Sequence, residues 1–207
     1  MCIRDSVSTD TTNVAGQNLP VSRFAIVRTG SYADYGFGGF VYERNGSVTL
    51  PSSGQALFTG TYGGMRVFQN RGGMEYTRAD VRVSIDFDDF NAGNGVRGIL
   101  FNRAAFDING NPVATGTGEG QLQLPTLSFV IGPGVMTDDG EISSGVTSSI
   151  LNPDSGAYEL YESGTYYGII AGAGADMEIV GVIVMTSEDP RSEGVTAQET
   201  GGFIVYR

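Results

Sequence analysis

The stretch that decides the fold is the last fifty residues. It contains Tyr158-Glu-Leu-Tyr-Glu-Ser-Gly-Thr-Tyr-Tyr-Gly-Ile-Ile170, then Glu178-Ile-Val-Gly-Val-Ile-Val-Met185, then Glu199-Thr-Gly-Gly-Phe-Ile-Val-Tyr-Arg207. Three runs of β-formers are separated by short Gly/Ala/Asp or polar segments, and the last reaches the end of the sequence. A strand there needs a sheet partner, and a closed barrel removes exposed edges altogether.

Working backwards, the same texture continues to Ala56. Val81, Val83, Ile85 and Phe87 alternate with Arg82, Ser84, Asp86 and Asp88. Period two over eight residues means a half-buried strand with the apolar set facing a core. Turn signals fall between the runs at Asn70-Arg-Gly-Gly73, Asn91 to Gly95 and Asn109-Gly110. Ala56–Gln69, Met74–Phe90, Val96–Asp107, Leu122–Ile131, Gly145–Leu151, Ala157–Gly172, Met177–Met185 and Gly202–Tyr206 read as eight strands. Pro125 marks an edge or bulge in its run. Eight strands close over an interior filled by side chains. The expected fold is all-β: an eight-stranded antiparallel barrel over 56–207, with a small N-terminal β arm over 21–55. The arm draws on Arg23–Arg28 and Phe37–Glu43, turned by Asn45-Gly46.

Residues 1–20 read as leader and linker. The opening Met1-Cys-Ile-Arg-Asp-Ser6 has no apolar signal core and looks like the leader that adapter read-through adds to metagenomic reading frames. The alternative is an ordinary start carrying an inert thiol. Cys2 is the single cysteine, so no internal disulfide forms.

Composition narrows the chemistry. Gly stands at 32 of 207 residues, scattered without a three-residue period, which excludes collagen and suits turns and bulges. The net charge is −11, opposing contact with nucleic acid or anionic lipid. The chain has no His, so Ser-His-Asp and Cys-His sites cannot be built. Asp86–Asn94, Asp107–Asn111 and Asp138–Glu141 gather hard oxygen ligands, but none is a complete calcium loop, and each reads first as a turn. No catalytic residue, cofactor or metal is expected. Ser31-Tyr-Ala-Asp-Tyr-Gly-Phe-Gly-Gly-Phe-Val-Tyr42 packs five aromatics into twelve residues. Interfaces are enriched in such side chains, so Tyr32, Tyr35 and Phe37 are the candidate partner contacts. The alternative is a structural arm that uses them as core.

Four pieces resemble the β-barrel domain of the transferrin-binding protein B-like surface lipoproteins of Gram-negative bacteria. They are Thr59-Gly-Thr-Tyr-Gly-Gly64, Val81–Phe87, Gly164-Thr-Tyr-Tyr-Gly168 with Met177-Glu-Ile-Val-Gly181, and Glu199-Thr-Gly-Gly-Phe-Ile204. The resemblance implies a non-enzymatic binding barrel at the cell surface, tethered to the outer membrane by a lipid anchor missing from this chain. Its partner would be an unknown protein or small solute. No ligand-contact residue of the family can be matched here. Two rival readings are a periplasmic hydrolase using two acidic residues and a transmembrane eight-stranded barrel, apolar outside and polar inside.

Overall fold

The computed structural model describes residues 2–29, 34–89, 95–114 and 122–207. Eight antiparallel strands close the barrel: β7 (Gln55–Gln69), β8 (Met74–Asp86), β9 (Val96–Phe106), β10 (Leu127–Phe129), β11 (Glu141–Leu151), β12 (Tyr158–Ala173), β13 (Glu178–Glu188) and β14 (Thr196–Tyr206). Each pairs with its chain neighbour, and β14 returns to β7 to complete the ring. The turn between β7 and β8 takes Asn70 and Gly73 through positive φ. β10 is much shorter than its run because Pro125 interrupts the ladder.

The alternation predicts which face is buried. Val81, Val83, Ile85 and Phe87 all point into the barrel and are buried there. Phe58, Leu100, Leu127, Ile142, Ile170 and Phe203 fill the same half of the interior. Phe129 stacks on Tyr166 with ring centroids 4.0 Å apart. Burying each large apolar side chain contributes about 1.5–3 kcal/mol.

Residues 2–20, within the stretch expected as leader and linker, carry β-structure. β1 (Cys2–Val7) pairs with β4 (Ser22–Arg28), which pairs with β5 (Gly38–Arg44). β2 (Thr11–Val14) and β3 (Gln17–Pro20) form a hairpin around Ala15 and Gly16, both at positive φ as a two-residue loop requires. β6 (Val48–Thr49) lies parallel to the end of β12.

The β1–β4–β5 sheet is laid on the outside of β13, β14 and β7. Phe24 and Ile26 of β4 pack on Met65, Val67, Val180, Val182 and Ile204. This explains why β13 is apolar on both faces. Ile179, Ile183 and Met185 face the core, and Val180 and Val182 face the arm.

Two glycine pairs make this packing possible. Gly63 lies opposite Gly202, and Gly64 opposite Gly201. The inward pair leaves room for the Tyr62 ring, which sits 2.0 Å from where a Gly201 Cβ would stand. The outward pair gives the arm a flat floor, and a Cβ on Gly202 would meet the Phe24 ring at 2.4 Å. Gly202→Val is therefore expected to lift the arm while the barrel stays closed. Hydrogen exchange should show β4 amides losing protection and β8 amides keeping theirs, with a stability loss of about 1–3 kcal/mol.

Candidate binding surfaces and the charged end of the barrel

The barrel interior changes character along its axis. Beyond Tyr62 it becomes ionic, with Arg66, Arg103, Glu75, Glu162 and Glu199 all buried. Arg103 donates through Nη1 to Glu162 Oε2 at 2.6 Å and through Nη2 to Glu162 Oε1 at 3.0 Å. Its Nη1 also donates to the Pro125 carbonyl at 2.7 Å, and its Nη2 lies 3.4 Å from Glu199 Oε2. Tyr62 and Thr77 hydroxyls donate to Glu199 Oε1 at 2.8 and 2.7 Å. Ser148 donates to Glu162 at 2.6 Å, and Arg66 to Glu75 at 3.1 Å.

At the rim, Arg71 and Arg191 each bridge Glu75 and Asp189. The Arg71 guanidinium covers the Phe68 ring at 3.7 Å. Four arginines thus face four carboxylates, and the charges cancel.

Burial disfavours the Arg103 charge, but Glu199 and Glu162 outweigh it, so its pKa stands above the ordinary value. Burial and Glu199 together push the Tyr62 hydroxyl well up. Burial pushes the Asp189 carboxyl up, and its bonds from Arg191 outweigh that and hold it low.

A β-bulge aims Arg103 inward. Before it, Val96 and Leu100 face the core; after it, Arg103 and Ala105 do. The β8–β9 register steps by one across Ala79, and Asn102 takes φ 54°. Asn102 Nδ2 donates to Asp80 Oδ2 at 2.7 Å, pinning the bulge from outside. Simple alternation would have put Arg103 in solvent.

Outside, the arm is latched to the barrel by buried polar groups. Glu178 accepts hydrogen bonds from Ser8 at 2.7 Å and from Ser22. Burial raises its pKa despite those two bonds. Arg28 donates to Thr200 on β14. Arg44 Nη1 reaches the carbonyls of Asp139 at 2.7 Å and Ile170 at 2.6 Å.

The three aromatic residues picked from the sequence are placed differently. Tyr32 lies outside the described residues. Tyr35 is half-buried against the cluster beneath the arm. Phe37 is 75% exposed. Phe40 of β5 and Tyr167 of β12 are both partly exposed, with ring centroids 6.1 Å apart. The Asp107 turn is closed by its own chain. Its Oδ1 accepts from the backbone of Asn109 and Asn111 at 2.8 Å, and its Oδ2 from the Asn111 side chain at 3.0 Å. The ionic cluster was missed from sequence. The one available signal was Asn102-Arg103, an αL-tolerant residue beside a cation in a strand run.

No protein-family model matches the chain, and no curated protein matches it. Among solved structures it is similar to a surface lipoprotein, at 14% identity and TM-score 0.49, over 95% of this chain and 79% of that one. It is also similar to a double mutant of the vaccine antigen transferrin binding protein B from Haemophilus parasuis Hp5, at 14% identity and TM-score 0.47. That match covers 98% of this chain and 39% of the other.

Removing one member of the buried cluster strands its partners. Arg103→Met is expected to cost about 3–5 kcal/mol in urea unfolding at neutral pH, and adding Glu162→Gln to it should recover part of that loss.

Proposed function

We propose that this chain is a non-enzymatic binding module, displayed at the cell surface as a lipoprotein of a Gram-negative outer membrane. It recognises an unknown protein or small solute with its outside. The observation that carries this reading is the filled barrel. Apolar side chains occupy one half of the interior and a self-neutralised ion cluster occupies the other. Among the described residues these side chains fill the interior, so recognition falls to loops, barrel ends and outer faces. The cell-surface assignment rests on the four sequence motifs.

The hydrolase alternative needs two carboxylates facing a substrate cleft. The buried pair here, Glu162 and Glu199, is instead held by Arg103 and by hydroxyl donors. The transmembrane alternative needs an apolar outer belt. The outer face of β8 and β9 carries exposed Arg78, Arg82 and Arg97 instead.

Within this reading, Phe37 leads the candidate contacts, followed by Tyr35 and by the partly exposed Phe40–Tyr167 pair. Phe37→Ala is expected to leave the melting temperature unchanged, because exposed substitutions shift stability by only about 0.5 kcal/mol. It should weaken capture of a partner identified by crosslinking at the arm about tenfold, the size of one interface anchor. Unchanged capture would make the arm purely structural.

A further inference from the structure

The barrel wall has an incomplete seam between β9 and β10. β10 pairs with β9 only through Leu127–Leu100 and Ser128–Ile99. From Phe129 the chain turns towards β11. Phe129 pairs with Val146, and Val130 N donates to Gly145 O at 2.7 Å. β9 meanwhile runs on through Val96, Arg97 and Gly98, paired to β8 on one side. Among the described residues no strand pairs with those three on the other side. A groove of about 290 Å³ lies along this seam, lined by Arg82, Arg97, Gly98, Ile99, Phe129 and Ile131 among others.

The charge at the seam is unspent. Arg82 and Arg97 are exposed on the outer face, and among the described residues neither forms a salt bridge. Carboxylates stand nearby on the same face but are engaged by amides. Asp80 accepts from Asn102, and Asp86 accepts from Gln55 at 2.7 Å. Arg82 lies 5.6 Å from the Phe101 ring centroid, which braces it. Beside the arginines, Val130 and Ile131 are 41% and 43% exposed. On a chain of net charge −11, two available cations beside an apolar strip and an open strand edge form a distinct local chemistry.

We propose that this seam binds an extended acidic segment of a partner protein, added as a short strand to the Val96–Gly98 edge. Its carboxylates would meet Arg82 and Arg97, and its apolar residues would lie on Ile99 and Ile131. The strand edge decides the partner class. Peptide N–H and C=O groups match an open edge in register, which neither a lipid headgroup nor a polysaccharide does. Arginine adds paired hydrogen bonds to carboxylate. The site is separate from the arm and stands whether or not the arm makes partner contacts.

The test uses the full chain and a fluorescein-labelled peptide that carries Glu and Val on the same strand face, at successive alternate positions with Thr between them, read by anisotropy. Saturable binding that weakens with added salt is expected. Arg82→Gln with Arg97→Gln should weaken it about tenfold or more. Arg78→Gln, which removes the same kind of charge outside the groove, should not. Two further peptides, N-methylated along one edge or the other, test the strand geometry without altering the protein. One edge should abolish binding and the other should spare it. Absence of binding, equal loss with Arg78→Gln, or indifference to both N-methyl series each overturns the proposal. Full displacement of the peptide by phosphatidylglycerol vesicles or heparin, with tighter binding of either, also overturns it by assigning the groove to a different polyanion.

Discussion

The structure depends on how a small barrel disposes of charge that it has taken inside. Arg103 and Arg66 lie where an eight-stranded barrel has room only for side chains. Each isolated charge there would cost several kcal/mol. The cost is offset because every carboxylate at that end is shared. Glu199 takes Arg103, Tyr62 and Thr77; Glu162 takes Arg103 and Ser148; Glu75 takes Arg66, Arg71 and Arg191. The rim loop after β13 follows from this, since Asp189 and Arg191 finish the neutralisation and cover Phe68. So does the Asn102 bulge, which aims Arg103 at its partners.

The apolar half and the outer sheet are arranged around the same wall. β7 and β14 meet through their glycine pairs, and the two faces of that seam serve different layers. Inward, the missing side chains admit Tyr62, whose hydroxyl reaches Glu199. Outward, they admit Phe24 and hold the arm close. The Gly-Gly pairs in Thr59–Gly64 and Glu199–Ile204 thus have a packing reason. They let one pair of strands carry a ring on each side. Buried Glu178, bonded by Ser8 and Ser22, fixes the arm at the far end of β13.

Much of this was legible in the sequence where a residue's neighbours in the chain determine its environment. The Val81–Phe87 alternation, the Asn70–Gly73 turn and the doubly apolar Ile179–Val184 run each imply their strand, turn or covered face. Legibility fails where long-range pairing decides. Arg103 and Glu162 are far apart in the chain, and a bulge reverses the parity that would have shown Arg103 facing in. Pro125 signalled an irregular strand, but not that its loss would open a seam against β9. Residues 2–20 look polar and loop-like because β1 pairs along the edge of β4 while β2 and β3 pair only with each other, so neither unit lines a core face. Tyr35 and Phe37 are close in sequence yet divide between packing and exposure. An aromatic-rich run says that area is available, not which surface uses it.

These features converge on a barrel whose interior, among the described residues, is filled by apolar side chains at one end and by paired charges at the other. The most direct measurement is methyl-labelled NMR of Ile85, Leu100, Leu127 and Ile142 while the protein is titrated with a medium-chain fatty acid. A filled interior predicts that these methyl resonances stay in place through the titration. Saturable shifts at those four residues would mean that the barrel opens to a ligand, and would contradict the account.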